Sequence, residues 1–185
     1  MRIKHGVIGA VAAVGLMSPP AAFVAACKTT SAATARAATA SPQDVQAGIS
    51  LYQQGKFAEA EAQLRGAEGA EAKAYLAGSL AKQKKYGEAE AAAGAALAAN
   101  PTHEVAVAAL GESLVGQKKY DDAIARLEAA VAKRGDLAYG FYWLGHAYYN
   151  KKQTDQMLRA FDRFLQLAPK APEAPAVQQL LAGVR

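Results

Sequence analysis

The sequence predicts an all-α fold, a stack of four helix-turn-helix hairpins closed by one C-terminal helix. Three observations predict it. Leu76-Ala77, Leu110-Gly111 and Leu144-Gly145 recur at equal steps, and self-similarity at a period of about 34 residues marks a repeat architecture. Each period holds two amphipathic stretches, long enough for several helical turns, joined by a short polar turn. Apolar residues make up 52% of the 185-residue chain, and Ala supplies nearly half of them. Ala favours helix and lets helices approach closely.

Residues 1–26 read as an export signal. Arg2 and Lys4 form a basic start, and Gly6 to Met17 is an uncharged apolar stretch, the size of a signal core. Pro19 and Pro20 then stop any helix. Val24-Ala25-Ala26-Cys27 resembles the bacterial lipobox. That resemblance implies acylation of Cys27, removal of residues 1–26 and a lipid-held N-terminus; each buried methylene adds about 0.8 kcal/mol to such an anchor. The alternatives are a signal cut at a small-x-small site such as Ala38-Thr39-Ala40, giving a soluble periplasmic protein, or an uncleaved anchor. Lys28, where some inner-membrane retention signals carry Asp, favours the outer membrane by the same resemblance. Residues 27–41 are small and polar apart from Lys28 and Arg36, and read as a flexible tether. With a single cysteine, no intramolecular disulfide can form.

The hairpins follow over residues 42–170, in units of about 42–69, 70–101, 102–135 and 136–169. The spacing predicts helices over 42–54 and 57–68, 71–83 and 86–99, 103–117 and 120–133, and 136–151 and 154–167. Gly55-Lys56-Phe57, Lys84-Lys85-Tyr86 and Lys118-Lys119-Tyr120 mark the turn inside three units, each followed three positions after the aromatic by Ala60, Ala89 or Ala123. The step from Phe57 to Tyr86 is shorter than that from Tyr86 to Tyr120. The first unit therefore falls short of the period, and Glu68-Gly69-Ala70 has to turn tightly. Thr154 stands where a fourth aromatic would fall. Gly48, Ala60, Ala77, Ala89, Gly111, Ala123 and Gly145 are the expected close approaches between paired helices. Neither helix can bury its apolar stripe alone, so hairpins must stack.

These marks resemble the tetratricopeptide repeat, whose pattern runs from a bulky residue through Leu-Gly, an aromatic and Ala-x3-Phe to Pro over about 34 residues. The fourth unit carries Phe141, Leu144-Gly145, Tyr148, Phe161 and Pro169; the third carries Leu110-Gly111, Leu114, Ala123 and Leu127. The second has Leu76, Leu80, Ala89 and Pro101, with Ala93 in place of a large residue, and the first has Gly48, Leu51, Ala60 and Leu64. Residues 171–185 form the expected capping helix, with Val177, Leu180, Leu181 and Val184 as its apolar stripe. The bulkier Met157 and Phe164 of the last hairpin suit that different neighbour.

The resemblance implies that the stack is a right-handed superhelix whose first helices line a concave groove. On that face the expected partner-binding residues are Ile49, Tyr52, Tyr75, Glu112, Tyr139, Tyr142, Trp143, His146, Tyr149 and Asn150, joined by Val45, Ala74, Gly78, Val105, Ala108 and Val115. Four of the eight tyrosines and the single tryptophan fall between 139 and 149. Such rings dominate binding hot spots; packing against the C-terminal helix or the tether is the other reading of this stripe. A shallow apolar trough for a peptide or partner helix is the expectation. Val45 and Ile49 stand where a carboxylate-gripping groove would carry basic or amide side chains.

The lysines at the hairpin turns would form a basic ridge, with Glu59, Glu88, Asp121-Asp122 and Asp155 offsetting it at the following helix starts. Net charge is +5, falling to +3 without Arg2 and Lys4, too mild to imply nucleic acid. No metal-ligand spacing, phosphate-cradling loop or nucleophile motif occurs. The reading is therefore a non-catalytic adaptor or assembly scaffold of the bacterial envelope, without cofactor or metal, that binds a protein. The alternative is an accessory factor of cell-wall or surface-polymer metabolism that recruits an enzyme or recognises glycan.

Overall fold

The structure, a computed structural model, describes residues 41–184. The signal reading of residues 1–26, Cys27 and all of the tether except Ser41 lie outside the described residues. Nine helices and no strands are present among the described residues. They are α1 (Pro42–Gln53), α2 (Phe57–Leu64), α3 (Ala70–Lys82), α4 (Tyr86–Ala99), α5 (Glu104–Gly116), α6 (Tyr120–Lys133), α7 (Ala138–Asn150), α8 (Thr154–Leu167) and α9 (Ala174–Val184).

Local chemistry sets the first start. Ser41 caps α1 in a capping box: the Asp44 amide donates to Ser41 Oγ at 3.3 Å, and the Ser41 amide donates to Asp44 Oδ2 at 2.9 Å. Pro42 occupies the first turn, where its missing N–H costs nothing. The four intra-hairpin turns share one geometry. Gly55, Lys84, Lys118 and Lys152 each adopt positive φ, between 59° and 77°. Their amides bond back to Tyr52, Ala81, Val115 and Tyr149, and the amides after them to Leu51, Leu80, Leu114 and Tyr148. Only the first turn uses glycine; a lysine held there carries a steric cost that glycine avoids.

The largest departure from expectation is in the second helix, while α7 and α9 start two and three residues late. α2 ends at Leu64 rather than 68. Gly66 is a poor helix residue, and the shortened unit must start α3 at Ala70, so the chain turns through Gly69 at φ 98°. Ala67 is buried in that turn.

First helices touch in series, α1 with α3, α3 with α5 and α5 with α7, whereas second helices reach only their own partner and the next first helix, α8 meeting α9 instead. The stack is therefore tighter along its first helices, and these line the concave side. The main core runs from α3 to α9 around Leu110, Leu114, Leu127, Phe161 and Phe164, while Leu64 anchors a smaller cluster under α1. Glycines set two approaches within hairpins: a Cβ on Gly48 would lie 2.5 Å from Leu64 Cγ, and one on Gly145 would lie 2.5 Å from the Phe161 ring. Gly111 adds an approach between hairpins. Its nearest neighbour is Trp143 Cβ, 2.5 Å from where a Cβ would sit, so it also sets the approach between units three and four.

A polar clamp joins successive hairpins. In the turn of unit two, Gln83 Nε2 donates to Glu61 Oε2 at 2.8 Å and to the Phe57 carbonyl at 3.1 Å, and Lys85 Nζ donates to Glu61 Oε2 at 2.7 Å. Unit three repeats this on unit two: Gln117 donates to Glu90 Oε2 at 2.9 Å and to the Tyr86 carbonyl at 3.4 Å, and Lys119 to Glu90 at 2.9 Å. At the last junction both halves change together. Ile124 replaces the glutamate, Lys151 and Gln153 exchange the positions of the amide and the ammonium, and Lys151 bonds Asp121 at 3.0 Å instead.

Candidate functional site

A cavity of about 360 Å³ opens on the concave side. Tyr52 comes to it from α1, Gly78 and Lys82 from α3, Val105, Ala108 and Glu112 from α5, and Tyr139, Tyr142 and Trp143 from α7. Glu104 and Ala109 complete the α5 wall, and Glu173 enters from the segment ahead of α9. Gly78 leaves room for the ring across from it: a Cβ there would lie 2.8 Å from Tyr52 Cε2. The Tyr139 and Tyr142 rings meet edge to face at 6.0 Å, and Tyr142 meets Trp143 at 5.0 Å. Behind them, Phe164 backs both tyrosines at 5.9 and 5.1 Å, so the aromatic wall is held by a buried side chain of α8.

The polar lining is organised. Lys82 Nζ donates to Glu112 Oε2 at 2.8 Å, and Tyr139 Oη donates to Glu173 Oε2 at 3.0 Å. Burial and then the hydrogen bond to Glu173 push the Tyr139 hydroxyl up to about 12. Burial also raises Tyr142, assisted by the charges of Glu173 and Glu112. Desolvation alone would lower Lys82; its bond to Glu112 and the surrounding negative charge outweigh this and raise it.

Of the residues expected in the groove, Tyr52, Glu112, Tyr139, Tyr142 and Trp143 line one cavity together with Gly78, Val105 and Ala108. Others lie elsewhere. Ile49 is buried, because α1 turns that side chain into the stack, and Ala74 is buried beside Ala96 and Ala106. Val45 and Val115 pack against the cores. Tyr75 stands beside the cavity, edge-on to Tyr52 at 5.3 Å and to His103 at 6.3 Å. His146 is packed among Tyr142, Trp143 and Phe161, with ring centroids at 4.6, 5.5 and 5.3 Å, and burial lowers its pKa. Tyr149 and Asn150 border a different depression, with Lys152, Met157 and Val184. Tyr149 sits one step beyond the Tyr142 to His146 stripe, far enough around α7 to leave the groove; it is 52% exposed. In the cap, Val177 and Leu181 are buried and Leu180 partly so, but Val184 is exposed at the end of the chain.

Four lining residues escape the sequence reading, Ala109 and three charged ones. Lys82 continues the Tyr75–Gly78 stripe by one more helical turn, and Glu104 precedes Ala108 and Glu112 at the same spacing, so helical periodicity could have found both. Glu173 lies beyond the last repeat and carries no such signal. The trough is accordingly less apolar than expected. The expected basic ridge is also partly neutralised: Lys85, Lys119 and Lys151 are paired with Glu61, Glu90 and Asp121. Among the described residues no group of His, Cys, Asp and Glu is arranged to hold a metal, and no helix is long and apolar enough to cross a membrane.

Similarity to known proteins agrees with this architecture. No curated protein sequence matches the chain. Among solved structures, PilF of Pseudomonas aeruginosa is 25% identical with a TM-score of 0.60, the match covering 71% of this chain and 63% of that one. The chain thus spans less than two thirds of the PilF structure. MamA of Desulfovibrio magneticus RS-1 is 25% identical with a TM-score of 0.55, covering 70% of this chain and 76% of that one. YrrB, described as a TPR protein with an unusual peptide-binding site, is 20% identical with a TM-score of 0.59, covering 74% and 73%. Two tetratricopeptide repeat models match residues 45–104 and 80–142, which together take in more than half of the sequence. With the repeat spacing and the stacked hairpins, these matches establish that the chain belongs to the tetratricopeptide repeat family.

Proposed function

We propose that this protein is a non-catalytic adaptor that seats a peptide or helix of a partner protein in the concave groove of its repeats. One observation carries the reading: α1 and α7 bring Tyr52 and Tyr139, Tyr142 and Trp143 around an open cavity, with α3 and α5 between them supplying the small Gly78 and Ala108. Aromatic rings on a rigid scaffold give contact area at low entropic cost, and Phe164 braces two of them from behind. Peptide binding by YrrB, built on the same fold, supports the class of ligand.

The test is photocrosslinking in cells from position 108 or 142, with the exposed Ala125 of α6 as control. A discrete adduct from the groove positions and none from position 125 is the expected result; equal capture from both faces would count against the groove. We further propose that Cys27 is acylated and holds the repeats at the outer membrane on its periplasmic side. The lipobox match at Val24–Cys27 supports this. Fatty-acid labelling that persists in Cys27→Ser would dismiss the anchor.

A further inference from the structure

We propose that the groove grips a lysine or arginine of the partner segment, seated between carboxylates and aromatic faces, with an apolar neighbour of that residue in the trough beside Ala108. The inference rests on the reading of the cavity as a peptide site. Its basis is charge. Glu104, Glu112 and Glu173 line the cavity with one lining cation, Lys82, while Arg134 reaches Glu104 at 3.7 Å from outside the lining, so the carboxylates still outnumber the cations. Tyr142 and Trp143 line the same cavity as these carboxylates, and an aromatic ring together with a carboxylate is the chemistry that recognises a cation. A concave site with low-dielectric walls concentrates such a field. The raised hydroxyl of Tyr142, to which Glu173 and Glu112 both contribute after burial, reports the same negative potential. Lys82 already shows where an ammonium fits: its Nζ lies 2.8 Å from Glu112 Oε2. An acidic partner segment would meet like charges and be rejected.

The experiment selects a displayed library of short random peptides on the full chain and measures fluorescein-labelled hits by anisotropy. Hits should carry Lys or Arg beside a large apolar residue. The Glu104→Gln, Glu173→Gln double variant, which leaves the Lys82–Glu112 pair and a Gln acceptor for Tyr139, should weaken them about five- to tenfold. Lys82→Met, which frees Glu112, should tighten them, a gain that a merely structural lysine would not produce. Melting temperatures confirm folding, and Ala108→Gln, a blocking side chain on the cavity wall, serves where Tyr142→Ala unfolds. Hits lost on Ala108→Gln but without basic residues, and insensitive to the glutamate variants, would overturn the cation inference and leave the groove reading intact. Absence of hits sensitive to Ala108→Gln or Tyr142→Ala would overturn both. A synthetic peptide spanning 28–40, which carries Lys28 and Arg36, is run in parallel; binding as tight as the best hits would overturn a partner as the occupant.

Discussion

Replacing Glu61 with Gln tests whether the clamp between the first two hairpins contributes stability through charge. Glu61 is 6% exposed, and its carboxylate accepts from Lys85, Arg65 and Gln83. The bond to Lys85, followed by that to Arg65, lowers its pKa from 4.5 to about 2. At about 1.4 kcal/mol per pK unit, a shift of this size corresponds to roughly 3 kcal/mol in an unscreened pair. Lys85 and Arg65 are 41% and 58% exposed, so solvent screening reduces the expected contribution to about 1–2 kcal/mol. The sign follows from linkage. The folded pKa lies below the unfolded one, so the contribution is complete above about pH 4.5 and is lost as pH falls toward 2. Urea midpoints of wild type and Glu61→Gln, measured from pH 7 down to 2, should differ by ~1–2 kcal/mol at pH 7 and converge in acid. Amide exchange in α1 and α2 should accelerate with the substitution. A difference that stays constant across the pH range would refute the charge argument and leave only shape. Glu90, lowered first by Lys119 and then by Gln117, should follow the same profile with smaller amplitude, its side chain being 24% exposed.

Glycine positions separate packing from propensity. Gly145→Ala forces a Cβ into the fully buried Phe161 ring, at a cost of about 1–3 kcal/mol against a gain of about 1 kcal/mol in helix propensity. Gly87→Ala meets open space and should raise the melting temperature, with up to about 1 kcal/mol gained; calorimetry on the pair checks both signs. Deleting residues 172–185 removes buried Val177 and Leu181 together with the Tyr139–Glu173 bond, and should cost about 3–5 kcal/mol in urea titration. An unchanged midpoint would mean that the last hairpin needs no cover.

Helix boundaries were legible because the repeat returns the same turn four times, each with its glycine or lysine at positive φ. The boundary that departs most, the end of α2, belongs to the one unit out of period, where a shortened connection overrides propensity. In the site, Tyr52, Tyr139 and Tyr142 were legible because helical spacing fixes which residues share a face. Ile49, His146 and Tyr149 fell elsewhere for a related reason. A stripe read at spacings of three and four drifts around a helix with each step, and only the neighbouring helices decide where groove ends and core begins. His146 faces Phe161, a contact that needs the fold of the hairpin itself. Glu173 could not be read at all, since nothing in a repeat pattern specifies what the chain does after the pattern stops.

The paired residues at the junctions make the hairpins unequal as building parts. Unit two carries both halves of the clamp, offering Gln83 and Lys85 to the hairpin before it and Glu90 to the one after. A second copy of it, inserted between units two and three, would find a matching partner on either side. Unit four has neither half, with Leu158 where the glutamate would stand and Lys151 and Gln153 in exchanged places. It fits only as a terminus, so the order of the repeats is written into side chains that never reach the groove.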